Sequence, residues 1–74
     1  MMHSPDDAVA RNVRAAMGAC RVGAPALADA AGISRSAMHR RLAGDVEFRP
    51  SELASIAALL NTTARQLLPA EAVA

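Results

Sequence analysis

Arg35, Ser36, His39 and Arg40 can act together, because they lie within one short stretch of the 74-residue chain. On a helix, at about 100° per residue, they share an arc of roughly 140°. That arc carries two guanidinium forks, a hydroxyl and an imidazole, with no carboxylate among them. A merely solvated helix face tends to mix both signs of charge, since opposite charges three or four residues apart stabilise the helix. An acid-free donor face is expected to contact DNA, with solvated surface as the alternative. Met38 and Leu42 fall within roughly 40° of each other on the remaining side and are expected to be ordinary core.

The elements that must position this face are written around it, in residues 27–44, LADAAGISRSAMHRRLAG. Leu27 and Ala28 lie five and four residues before Gly32, where they can face the core of a short helix. Gly32 can take the left-handed conformation that ends that helix at little steric cost. Ile33 can then plug the space between two helices. Ser34 is the natural N-cap of the next one, because its hydroxyl can accept an orphan backbone N–H. That helix runs to Leu42 or Ala43, and Gly44 stops it. The order of these pieces resembles a helix-turn-helix DNA reader.

Three more helices complete the parse. Ser4 is the expected N-cap of the first, with Pro5 at its first position and Asp6 and Asp7 on the positive end of its dipole. Val9, Val13, Met17 and Cys20 form its inner stripe. Gly18 lies off that stripe, costs about 1 kcal/mol against Ala, and predicts fraying there. Gly23 begins the second helix, with Val22 and Leu27 spaced as a hydrophobic staple. The loop Asp45 to Arg49 holds the lone aromatic residue, Phe48, expected to pin the loop to the core. Pro50 opens the fourth helix, which buries Leu53, Ile56, Ala57 and Leu60, and Asn61 can end it in the left-handed conformation. Thr63 and Gln66 make a capping box for a last short helix that buries Leu67 and Leu68 and stops at Pro69.

Composition agrees with one small helical domain, with a core over about residues 5–68 and a short tail over 69–74. With no Trp or Tyr and one Phe, the core must come from Ala, Leu, Val, Ile and Met. A net charge of +1 argues against an indiscriminate polycation, and all eight basic residues are Arg. The lone Cys20 has no partner for an internal disulfide, so a reducing cytoplasm is the expected compartment. No apolar run approaches the roughly 18 residues of a membrane span, and no signal peptide is visible.

Taken together, LADAAGIS, SRSAMHRRLAG and ELASIAALLNTTARQLL resemble the Cro/repressor family of phage and bacterial transcription regulators, also called the xenobiotic-response-element family. The likeness covers about residues 9–68. The RRLAG-x-x-x-F run is similar to a sub-type common in actinobacterial and actinophage regulators. The resemblance implies an all-α, compact five-helix domain with the lambda-repressor-like DNA-binding fold, whose third helix enters the major groove. It also implies that Arg35, Ser36, His39 and Arg40 occupy base-reading positions and Ser34 a phosphate-contacting one. Arginine suits base reading because its fork can donate twice to guanine O6 and N7.

The chain departs from that family at the start of the second helix. There the family places Ser and then Gln, and the Gln holds a phosphate; here Gly23 and Ala24 stand in those places, followed by Pro25. Backbone N–H groups around Ala24 can still hold a phosphate through the helix dipole, although Pro25 removes one donor. Anchoring is then expected to shift to arginines elsewhere. Arg49 is well placed in the loop, and Arg11, Arg14 and Arg21 are weaker candidates. Arg41, on the flank of the third helix, is a phosphate candidate whose alternative is an ion pair with Asp29 or Glu52.

No catalytic constellation stands out. His3 and His39 lie on different elements without Cys or carboxylate at metal-ligand spacing. His3 is assigned to a disordered terminus, and Cys20 to the core as a small hydrophobe. The resulting expectation is a non-enzymatic, cofactor-free regulator of Cro or minimal phage-repressor type. It would take no small-molecule ligand and touch no membrane, and it would occupy a near-palindromic operator as a homodimer, at least on DNA. The alternatives are a helix-turn-helix module that binds protein, such as an antitoxin, and an RNA-binding adaptor. The first is weakened by a tail too short to wrap a toxin, the second by the absence of stacking aromatics.

Overall fold

The computed structural model describes residues 5–69 of the chain. It contains five helices in the order α1 (Pro5–Cys20), α2 (Ala24–Ala31), α3 (Arg35–Leu42), α4 (Pro50–Leu59) and α5 (Ala64–Leu67), with no strand among the described residues. Ser4, His3 and the tail beyond Pro69 lie outside the described residues. The radius of gyration, 11.2 Å, is close to the ~11 Å of a well-packed chain of this length. The fold is the expected all-α one.

Four of the helices end in the same way, and that device sets how each leads to the next. After α2, the Gly32 N–H donates to Asp29 O at 3.2 Å and the Ile33 N–H to Ala28 O at 3.1 Å. This paired pattern is the Schellman cap, which satisfies orphan carbonyls and turns the chain sharply. Gly44 repeats it after α3 (Asp45 N–H to Arg40 O, 3.0 Å), and Asn61 after α4 (Thr62 N–H to Ala57 O, 2.9 Å). At the end of α1 the left-handed residue is Arg21, at φ 56°, and the Val22 N–H reaches Met17 O at 3.0 Å. Fraying was expected at Gly18. Instead α1 runs unbroken through it to Cys20, and an arginine takes the strained position.

The core is organised around α2, which packs between α3 and α4, while α1 packs on α3 and α5. Leu27, Met38, Ile56 and Val13 are its largest fully buried side chains, each of the larger three contributing roughly 1.5–3 kcal/mol by burial. Leu53, Ala57, Leu60, Leu67 and Phe48 join them as expected. Two elements of the α1 stripe differ from expectation. Met17 is only half-buried, and Cys20 is exposed, with its thiol donating to Leu60 O at 3.1 Å rather than packing in the core. The last turn of α1, Gly18 to Cys20, lies exposed at the surface beside the end of α4. The expected capping box on α5 is half formed. Thr63 Oγ1 accepts the Gln66 N–H at 3.2 Å, while the Gln66 side chain accepts from the Thr62 hydroxyl.

Candidate nucleic-acid interface

The interface is built from α3 outwards. Ser34 has extended backbone at φ −70° and ψ 159°, and its hydroxyl oxygen accepts the Ala37 N–H at 3.0 Å. The cap uses the oxygen as acceptor and leaves the hydroxyl proton available to donate outward. Met38 and Leu42 are both buried against the core. That fixes the rotation of α3, because an eight-residue helix anchored at two core positions has no freedom to roll. Arg35, Ser36, His39 and Arg40 consequently all face solvent. None of their side chains is engaged by another described residue, and the first turn of α3 carries no acid. The four residues picked out in the sequence therefore form one exposed, cationic, acid-free strip.

The flanking candidates separate. Arg49 stands exposed just before α4, behind buried Phe48, and its side chain makes no hydrogen bond among the described residues, although its charge acts on Glu52. Ala24 opens α2, where Gly23 provides extended backbone but no side-chain cap, so the first N–H groups of α2 lack a side-chain partner. Arg11 and Arg21 are exposed on α1 and at its end. The acids Asp45 and Glu47 are exposed in the loop that carries Arg49.

Two arginines weighed for phosphate contact are engaged within the fold. Arg41 is the clearer case. Its Nε donates to Glu52 Oε1 at 2.8 Å, its Nη2 to Glu52 Oε2 at 3.2 Å, and its Nη1 to Ala37 O at 3.2 Å. All three guanidinium nitrogens are committed, and the side chain is only 12 % exposed. Of the two alternatives for Arg41, the ion pair with Glu52 is the one formed, because the Glu52 carboxylate in the first turn of α4 lies within reach of the long Arg41 side chain. Arg14 donates through Nη1 to Leu42 O, placing a cation on the negative C-terminal end of the α3 dipole.

Glu52 is the buried acid at this surface that sequence reasoning noticed only as a possible partner of Arg41. It is 5 % exposed and also accepts the Arg49 N–H at 2.9 Å. Burial by itself pushes its carboxyl upward. The bonds from the Arg49 N–H and the Arg41 side chain, with the charges of Arg41 and Arg49, outweigh burial and hold it below its ordinary value. The readable signal was a Glu two residues after Pro50, at the third position of a helix, where it can reach back to the backbone N–H of the N-cap.

Residues 4–74 match the BetR domain over nearly the whole chain. The chain belongs to the BetR domain family. BetR is a small helical domain associated with helix-turn-helix regulators, and the five-helix fold and the α2–turn–α3 unit agree with that class. No curated protein and no solved structure matches the sequence. No helix among the described residues of this BetR domain is long and apolar enough to cross a membrane.

Proposed function

We propose that this BetR domain is a sequence-specific double-stranded DNA-binding transcriptional regulator that places α3 in the major groove. One observation carries this reading. α3 is clamped by its own cap and by two core side chains so that Arg35, Ser36, His39 and Arg40 project together, without partners among the described residues and without an acid on the strip. Eight residues at 1.5 Å each make a helix of about 12 Å, a length the major groove accepts. Arg35 and Arg40 are then the base readers, Ser36 and His39 their neighbours on base edges. Ser34, Arg49 and the N–H groups at Ala24 hold the phosphates on either side.

Such a domain acts by occupying operator DNA, as a Cro protein or minimal repressor does, with no catalysis and no cofactor. Four side chains read only a few base pairs, too little to select one operator in a genome. Two copies, on half-sites about 34–36 Å apart in a near-palindrome, double the information.

A mobility-shift series with the DNA flanking its gene, at two salt concentrations, tests the reading, with footprinting to locate the site. Sequence-preferring binding that weakens with salt is expected. Failure to bind any duplex would overturn it in favour of a protein-binding helix-turn-helix module. Sedimentation of the protein with a footprint-length duplex tests pairing. Two proteins per operator are expected, and a stable one-to-one complex at saturation overturns the paired arrangement.

A further inference from the structure

The arginines around α3 do not all face the same way, and one carboxylate makes the difference. Glu52 Oε1 receives both Arg41 Nε at 2.8 Å and the Arg49 N–H at 2.9 Å, while Oε2 receives Arg41 Nη2 at 3.2 Å. A single buried acid therefore folds Arg41 down onto α4 and at the same time fixes the peptide from which the Arg49 side chain leaves toward solvent. Arg41 is adjacent to Arg40 in sequence, about 100° around the helix. Its long side chain has the reach to swing from that flank toward a phosphate if nothing held it.

We infer that Glu52 is a specificity-determining positioning residue that withholds Arg41 from the DNA backbone while presenting Arg49 to it. The inference rests on the DNA-binding reading above and deepens it. Phosphate contacts carry no sequence information and raise affinity for every duplex alike. A free Arg41 beside the base-reading strip would add one such contact and dilute the discrimination that Arg35 and Arg40 supply. To recruit Arg41, a phosphate would have to strip it from a two-point carboxylate pair and leave Glu52 buried and uncompensated, an unfavourable exchange. The domain thus keeps its cation count low on the DNA side although it carries eight arginines.

The test is a salt titration of binding to a short duplex of mixed sequence, with wild type, Glu52→Gln and the double variant Arg41→Met/Glu52→Gln. Circular dichroism confirms that each is folded. Glu52→Gln keeps an acceptor for the Arg49 N–H but frees the Arg41 charge. Its plot of log affinity against log salt is expected to steepen by about 0.9, one added phosphate, while its preference for the footprinted site over mixed sequence falls. A residue that only supported the fold would weaken binding and would not steepen the slope. The double variant buries no charge and is expected to return to the wild-type slope. An unchanged slope in Glu52→Gln overturns the inference, as does a double variant shallower than wild type by about 0.9, which would show Arg41 touching phosphate already. If Glu52→Gln does not fold, the double variant alone decides. These failures occur with wild type still binding DNA, whereas failure of the DNA-binding reading appears as no wild-type binding to any duplex.

Discussion

The backbone of Gly44 lies directly against the carboxylate of Asp7, so that the end of α3 is seated on the first turns of α1. A β-carbon at position 44 would collide with Asp7 Oδ1 and meet Asp7 Cα at 3.5 Å, and φ there is +85°. At Gly32, φ is +71° but nothing lies within 4 Å of a β-carbon. Gly32→Ala should cost about 1–2 kcal/mol, the left-handed strain alone. Gly44→Ala should cost more, because Asp7 must also move. Urea unfolding of both variants measures the difference, and Asp7→Ala should shrink it. Equal costs would show that the Asp7 contact adds nothing.

Arg21 holds a left-handed conformation that glycine adopts more cheaply, at φ 56°. The turn uses its backbone, with the Arg21 N–H directed to Gly18 O at 3.4 Å. Arg21→Gly should therefore stabilise the domain, by about 1 kcal/mol, as relief of strain exceeds the added entropy of the unfolded chain. A lower denaturation midpoint in the variant would contradict this account of the turn.

Glu52 makes stability depend on pH in a defined direction. Its folded-state pKa lies below the ordinary 4.5 because its hydrogen bonds and the nearby arginine charges outweigh burial. A depressed carboxylate stabilises the fold fully above its unfolded value and loses that contribution as pH falls through the folded one. The loss should thus begin near pH 4.5 and grow below it. Arg41→Met leaves Glu52 buried without its cation and should cost about 3 kcal/mol at neutral pH. It should also move the acid limb of the stability curve to higher pH. Denaturant melts from pH 3 to 7 check both, and an acid limb that does not move would remove Arg41 as a cause.

Arg40 is central on the exposed strip of α3. Arg40→Ala should cost roughly 1–3 kcal/mol of specific binding and relax the preference at one base pair. Affinity and selectivity measured against a set of single-base operator variants decide the matter, and wild-type behaviour in both would exclude a base-reading role.

Arg49 leaves a loop pinned by Phe48 and by Glu52, well away from the base-reading strip in sequence. As a phosphate anchor, Arg49→Ala should weaken specific and mixed-sequence duplexes about equally and reduce the salt slope by about 0.9. A loss confined to the specific site would assign Arg49 to base reading instead.

Much of this molecule is legible in one dimension because its signals are local. Ser34 followed by an apolar pair four apart, Gly32, Gly44 and Asn61 at helix ends, and Pro50 at a helix start each act within one or two turns. Sequence alone therefore determined the five helices, the core residues Leu27, Met38, Ile56 and Leu60, and the identity of the strip Arg35–Arg40. Its period is a property of the helix itself, so burial of Met38 and Leu42 dictates exposure of the remainder.

What only the tertiary structure decided is where long side chains go once their stems are placed. Arg14, Arg41 and Arg49 look alike in sequence, and each has a reach of several ångströms in any direction. Arg14 turns to the last carbonyl of α3, Arg41 to Glu52, and Arg49 outward. Cys20 reads as the end of an apolar stripe, yet it lies at the surface with its thiol bonded to the Leu60 carbonyl at the end of α4. Local periodicity says which side of a helix a residue occupies. It contains no information about how far a neighbouring helix extends or which acid lies within reach, because those depend on residues ten to forty positions away in sequence that only packing brings together.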